Sequence, residues 1–281
     1  MINHILWASV LAAISICVGC ATQTTTSQGK TAPTPAKAKA ALDKDNYADA
    51  ERLAFQVIAG EKSGGALNSA AGRADVLSVL IGGMGAPEAF YRNFNIFLRD
   101  NLGSLTKGGG TVRTEYVVTG LHVFQLWSHA ARVKAGDEDA FSSSTKRKCS
   151  RIMRTVVDPF FAENAGGRIV LGGHSFGTIE MQCLKEMVGK KYGKQVIAAA
   201  YALAPVARRL DKDVMVVSAR HDFMVAFSDF IYPGRGVKGV AVPVPGLNHF
   251  IIHNSPNARQ VLADYFAFVS SQQQDSADRS E

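Results

Sequence analysis

The stretch from Arg168 to Gly177 limits what this chain can fold into more than any other. It runs from the apolar segment Ile169-Val170-Leu171 through Gly172-Gly173-His174-Ser175-Phe176-Gly177 into a stretch patterned as a helix. A continuous apolar run stopped by glycine reads as a buried strand. Passing from strand to helix within a few residues demands a sharp turn, where a Cβ would collide with neighbouring chain. Glycine at 173 and 177 removes that obstacle. The turn lifts the Ser175 hydroxyl above the sheet edge, and the helix start beside it offers backbone N–H groups to a developing anion. Ser175 is then a candidate nucleophile if a base and an acid can reach it. The alternative is a strand–helix connection with an incidental serine.

The surrounding chain repeats the alternation. Val76–Ile81 is a buried strand stopped by Gly82-Gly83, and Pro87 opens a helix whose apolar face is Phe90, Phe94, Phe97 and Leu98, closed by Gly103. Strands follow over Val112–Val118, Arg168–Gly172, Val196–Leu203, Val214–Ser218 and Val237–Val244, the last read as an edge strand or a strand end from its prolines. Helical spacing runs through Ile152, Val156 and Val157 until Asp158-Pro159, which should kink or end it. A further helix spans Thr178 to about Lys191, and Ser255-Pro256 caps a final one through Val261, Leu262, Tyr265 and Val269. Tyr47–Gly72 is ambiguous between helix and strand, and His122–Ser144 has little periodicity. Alternating strands and helices with near-continuous apolar strands predict an α/β fold, a mostly parallel sheet covered on both faces. The 281 residues suffice for one large domain without internal repeats.

A serine hydroxyl attacks only when a base takes its proton, and the base needs a third group to fix its tautomer. His249 follows the last strand in Pro245-Gly246-Leu247-Asn248-His249-Phe250, and Asp222 follows Val214–Val217 in Ser218-Ala219-Arg220-His221-Asp222. In a parallel sheet Ser175, Asp222 and His249 gather at one carboxyl edge. His253 is the second candidate base and Asp229 the second candidate acid. His174 should point away from Ser175, His221 shapes the pocket or meets solvent, and His122 or His129 could touch substrate. No His or Cys spacing suggests a metal site, and neither a dinucleotide fingerprint nor a phosphate-binding G-K-[ST] is present.

The elbow at Gly173–Gly177, with an acid and then a histidine after later strands, resembles the α/β-hydrolases from about Val76 to the last helix. The resemblance implies Ser175 as nucleophile, Asp222 as acid and His249 as base. It also implies an oxyanion hole formed by the Phe176 N–H and a donor from Gly82-Gly83-Met84-Gly85, assigned by position to Met84 with Gly83 as the alternative. The expected reaction is acyl transfer from a carboxylic ester to water without a cofactor, as in an esterase or lipase. The short connection from Ala204 to Asp213 implies that no large cap domain is inserted there; Phe124, Leu126 and Trp127 could supply a partial apolar cover. A serine peptidase, thioesterase or acyltransferase on the same fold, or a noncatalytic binding lipoprotein, stays open.

The first residues carry a different signal. An apolar stretch, Ile5–Val18, too short for a comfortable membrane span, ends at Val18-Gly19-Cys20. Small residues before a cysteine resemble the lipobox of bacterial lipoproteins, which implies that Cys20 is diacylated. Two features depart from the pattern: no Lys or Arg precedes the apolar stretch, and Cys17 stands where Leu is usual. A plain secretory signal or an uncleaved anchor are the rival readings. The expected organisation is a signal peptide over 1–19, a polar flexible tether over 20–45, a catalytic domain over 46–269 and a disordered tail over 270–281. The protein would be exported and held at a membrane through Cys20, with a small-molecule or lipid ester as substrate. The net charge of +7 is scattered and has no nucleic-acid motif beside it, so it reads as a solvated surface, with attraction to anionic headgroups the sharper alternative. Cys149 and Cys183 both fall on core-facing helical positions, either as a disulfide or as two buried thiols.

Overall fold

A computed structural model of the chain describes residues 74–83, 86, 88–106, 110–117, 143–206, 210–220, 222, 239–244, 249 and 251–278. The expected signal peptide, the tether, Cys20, Met84, His122, His129, His221, Asp229 and the cover residues Phe124, Leu126 and Trp127 lie outside them.

The described strands are β1 (Val76–Ile81), β2 (Val112–Val117), β3 (Arg168–His174), β4 (Ile197–Leu203), β5 (Val214–Ala219) and β6 (Val240–Val242). They form one sheet in the order β2-β1-β3-β4-β5-β6, and every neighbouring pair is parallel. Helix α1 (Arg92–Leu102) lies between β1 and β2, α2 (Ser143–Ile152) and α3 (Asp158–Glu163) precede β3, α4 (Gly177–Tyr192) links β3 to β4, and α5 (Pro256–Asp278) ends the described chain. This is the α/β arrangement expected from the sequence, a parallel sheet covered by helices on both faces. After β1 the chain moves outward to β2, then returns to the other side of β1 as β3. The carboxyl ends of β1 and β3 therefore flank the point where the strand order reverses, the usual crevice for a ligand in an open parallel sheet.

Alternate residues of each strand feed two cores. Leu77, Val79 and Ile81 of β1 join Ile169, Leu171, Ala200 and Val216 beneath α2, α3 and α4. Val76 and Leu80 join Val170, Tyr201 and Val217 beneath α1 and α5, which contribute Phe94, Leu98, Leu262 and Phe266. A sheet buried on both faces has no polar side to alternate with, which is why β1 reads as an apolar run broken only by Ser78.

Several expectations are corrected. Pro159 does not end its helix: α2 widens into a π turn over Met153–Val157 and continues as α3. The Asp158 N–H bonds to the Met153 carbonyl, five residues back, so the wider turn accommodates a ring that would crowd an α-helical carbonyl. Among the described residues the last strand spans Val240–Val242, the residues that pair with β5, and it ends before Pro243 and Val244; 237 and 238 lie outside the described residues. The segment 270–281, expected to be disordered, is helical through Asp278. Ser270 Oγ donates to the Ser104 carbonyl at 2.6 Å and Arg168 donates to Gln273 Oε1, so polar contacts hold what hydrophobicity does not. Cys149 and Cys183 are free, buried thiols; Cys149 is pushed up in pKa first by a hydrogen bond with Cys183 and then by burial. Among the described residues no helix is long and apolar enough to cross a membrane.

Candidate active site

Ser175 stands one residue beyond β3 with φ of +53°, a left-handed backbone that side-chain-bearing residues rarely adopt. The turn is clamped from both directions. The Ser175 N–H donates to Leu203 O at 3.0 Å, while its carbonyl accepts from Thr178 Oγ1 at 2.6 Å and from the Thr178 N–H at 3.1 Å. Backbone strain persists where surroundings over-determine it in this way. The flanking glycines permit the approach: a Cβ at Gly173 would lie 2.7 Å from Thr178 Cα, and one at Gly177 would strike the Ile81 carbonyl. The start of α4 is thereby pressed against the end of β1.

His249 bridges serine and acid. Its Nε2 lies 2.6 Å from Ser175 Oγ, and its Nδ1 lies 2.9 and 3.0 Å from the two Asp222 carboxylate oxygens. A carboxylate only accepts, so Nδ1 carries the proton, Nε2 is the acceptor, and the serine hydroxyl donates to it. Asp222 follows β5, while His249 follows β6. All three side chains are buried, so the polar contacts are made away from bulk water. The arrangement can move the serine proton onto the imidazole while the acid steadies the resulting charge.

The oxyanion donors divide. Phe176 is the N-cap of α4, and among the described residues no backbone acceptor engages its N–H. Gly83 sits beside the serine, since a Cβ there would be 3.4 Å from Ser175 Cβ. Its own N–H, however, donates to Tyr91 Oη at 2.9 Å and is therefore committed elsewhere. Met84, the donor assigned by position, lies outside the described residues.

His253, the second candidate base, is fully buried, with its Nε2 3.1 Å from the Phe90 carbonyl and its ring centroid 4.4 Å from that of Phe90. His174 does turn from the serine: its ring nitrogens meet Tyr91 Oη and the His249 carbonyl. Tyr91 was not marked by the sequence at all, although a tyrosine beside a helix's apolar face carries a hydroxyl that has to find a partner once buried. Among the described residues no group of three or more His, Cys, Asp or Glu could hold a metal ion.

No protein-family model matches the sequence, and no curated protein matches it. Among solved structures, a Trichoderma reesei cutinase in complex with a C11Y4 phosphonate inhibitor is 13% identical, covering 70% of this chain and 81% of its own, with a TM-score of 0.41. A cutinase-like protein from Cryptococcus sp. is 14% identical, covering 70% of this chain and 94% of its own, with a TM-score of 0.37.

Proposed function

We propose that this protein is a serine-dependent hydrolase of carboxylic esters, esterase- or lipase-like. The observation that carries the proposal is His249, within hydrogen-bond reach of both Ser175 Oγ and Asp222, with the serine on a strained strand-to-helix elbow. His249 takes the hydroxyl proton as Ser175 Oγ attacks the ester carbonyl. Asp222 holds the imidazole in the required tautomer and stabilises the imidazolium. The negative charge on the tetrahedral oxygen is met by the backbone N–H groups of Phe176 and Met84. His249 then returns the proton to the departing alcohol, and water, activated by the same imidazole, releases the acid from the acyl-enzyme. Every step uses side-chain and backbone groups of this chain.

The test is covalent labelling of the full-length protein by a fluorophosphonate. Parent protein should be labelled and Ser175→Ala should not; folded parent protein that stays unlabelled refutes the proposal. A panel of p-nitrophenyl esters of increasing chain length, run beside peptide amides, then distinguishes an esterase from a peptidase, and preferential amide cleavage overturns the ester assignment. The proposed setting is outside the cytoplasm, at a membrane, through acylated Cys20; Val18-Gly19-Cys20 supports it. Mass spectrometry of the mature protein should find diacylation there, and an unmodified mature N-terminus elsewhere removes this part of the proposal.

A further inference from the structure

Beneath the serine, histidine and acid lies a second buried run of polar groups that proton transfer does not use. Tyr91 and His174 are 0% and 1% exposed. The Gly83 N–H donates to Tyr91 Oη at 2.9 Å, Tyr91 Oη lies 2.5 Å from His174 Nδ1, and His174 Nε2 lies 2.7 Å from the His249 carbonyl oxygen. The two ends settle the direction of every bond. A backbone N–H can only donate and a backbone carbonyl can only accept. His174 must then carry its proton on Nε2 to serve the His249 carbonyl, leaving Nδ1 as an acceptor. The single tyrosine proton goes to that nitrogen, and the tyrosine oxygen receives the Gly83 N–H.

Only neutral His174 completes the chain. A proton on Nδ1 would leave both Gly83 and His174 donating to Tyr91 Oη and deprive the tyrosine hydroxyl of its acceptor. Burial, followed by the nearby His249, pushes the His174 pKa down to about 3, in keeping with that state. Neutrality also matters for chemistry, because the His174 and His249 ring centroids are 5.6 Å apart. A second positive ring there would oppose the imidazolium that His249 becomes during acyl transfer.

We infer that Tyr91 and His174 are positioning residues: one directed hydrogen-bond chain ties the turn after β1 to the backbone of His249 and so sets the oxyanion side and the base from a common anchor. Neither residue touches substrate. The turn and the base come from strands on opposite sides of β3, and Ser175 stands between them at the end of β3. A displacement of about 1 Å in either can cost on the order of a hundredfold in rate. The inference rests on Ser175 being the nucleophile and His249 its base.

The experiment measures kcat and KM separately for a p-nitrophenyl ester, with thermal unfolding as the check on folding. Tyr91→Phe keeps the ring and removes both of its hydrogen bonds. It should lower kcat about tenfold to a hundredfold with KM changed by no more than about twofold. His174→Gln can still direct an amide N–H at the His249 carbonyl, whereas His174→Leu cannot, so the Gln variant should retain the higher kcat. A folded Tyr91→Phe with kcat within about twofold of the parent overturns the inference, as do equal rates for the two His174 variants. Should Tyr91→Phe fail to fold, the Gln and Leu comparison decides. Nitrogen NMR of labelled histidines provides an arm independent of activity. His174 should hold its proton on Nε2 throughout about pH 5 to 8, and the His249 ring signals should move in Tyr91→Phe. An Nδ1–H tautomer at His174, or His249 signals unmoved by the substitution, refutes the chain even if the protein hydrolyses esters. A parent that folds with the expected tautomer yet neither labels nor hydrolyses removes the catalytic reading instead.

Discussion

Ser175 sits in backbone space that costs an ordinary residue about 1–2 kcal/mol, and glycine occupies it without that cost. Ser175→Gly should therefore exceed Ser175→Ala in stability by about 1 kcal/mol, after allowance for the greater freedom of unfolded glycine. Urea unfolding of the two variants checks this, and equal midpoints would mean that the elbow stores no strain. Asp222→Asn should leave the protein folded and lower kcat by about 10³–10⁴-fold, because a neutral amide no longer enforces the Nδ1–H tautomer of His249. His174 contributes an acid sensitivity. Its folded pKa is depressed to about 3, so between that value and the unfolded value near 6.5 the unfolded chain holds the extra proton. Stability is therefore fully present above pH 6.5 and falls by about 1.4 kcal/mol per pH unit as pH drops through this window. The facing groups are Tyr91, His249, Asp222 and the His253 ring, whose centroid is 5.6 Å away. His174→Gln should flatten that part of the stability–pH curve, measured beside the parent by denaturant titration. At this scale the meeting of Ser175, Asp222 and His249 could be read from spacing and order. The role of His174 could not, since its partners Tyr91 and the His249 carbonyl are 83 and 75 residues away.

Elements declare themselves where burial is symmetric and blur where it ends. β1 appears in the sequence at its observed length because both faces of its six residues are buried. β6 does not: two of its three residues are exposed, so hydrogen bonding to β5 rather than hydrophobicity sets its length. Asp158-Pro159 reads as a kink or an end because the rule concerns α-helical carbonyls, and a single wider turn ahead of it lets the helix continue. The far end of α5 was invisible for a related reason. Its hold on the body is polar, through Ser270 to the Ser104 carbonyl and through Gln273 to Arg168, whose guanidinium also donates to the Leu105 carbonyl. Truncation after Val269 should accordingly destabilise the fold by about 1–3 kcal/mol, the range for losing the hydrogen bonds of Ser270 and Gln273 with the half-buried Arg168 guanidinium left short of a partner. The measurement is a shift in urea midpoint at constant slope, and an unchanged midpoint would make the extension incidental.

Over the whole molecule, the candidate site is assembled from strand ends far apart in sequence. Ser175 follows β3, Asp222 follows β5 and His249 follows β6, with serine and histidine 74 positions apart in sequence and the aspartate and histidine 27. A short edge strand alone would hold His249 weakly, and a site so built could come apart well before the core. The residues after it argue otherwise. Ile252 and His253 are fully buried, Ile252 within the core beneath α1 and α5, and the His249 backbone is bonded to His174 at the end of β3. Detaching the base therefore requires opening the face of the sheet that α5 covers. Loss of fluorophosphonate labelling and loss of helical circular dichroism should then share one urea midpoint, as in two-state unfolding. Labelling that disappears at distinctly lower urea, with the helical signal intact, would show instead that the His249 loop opens as a unit of its own.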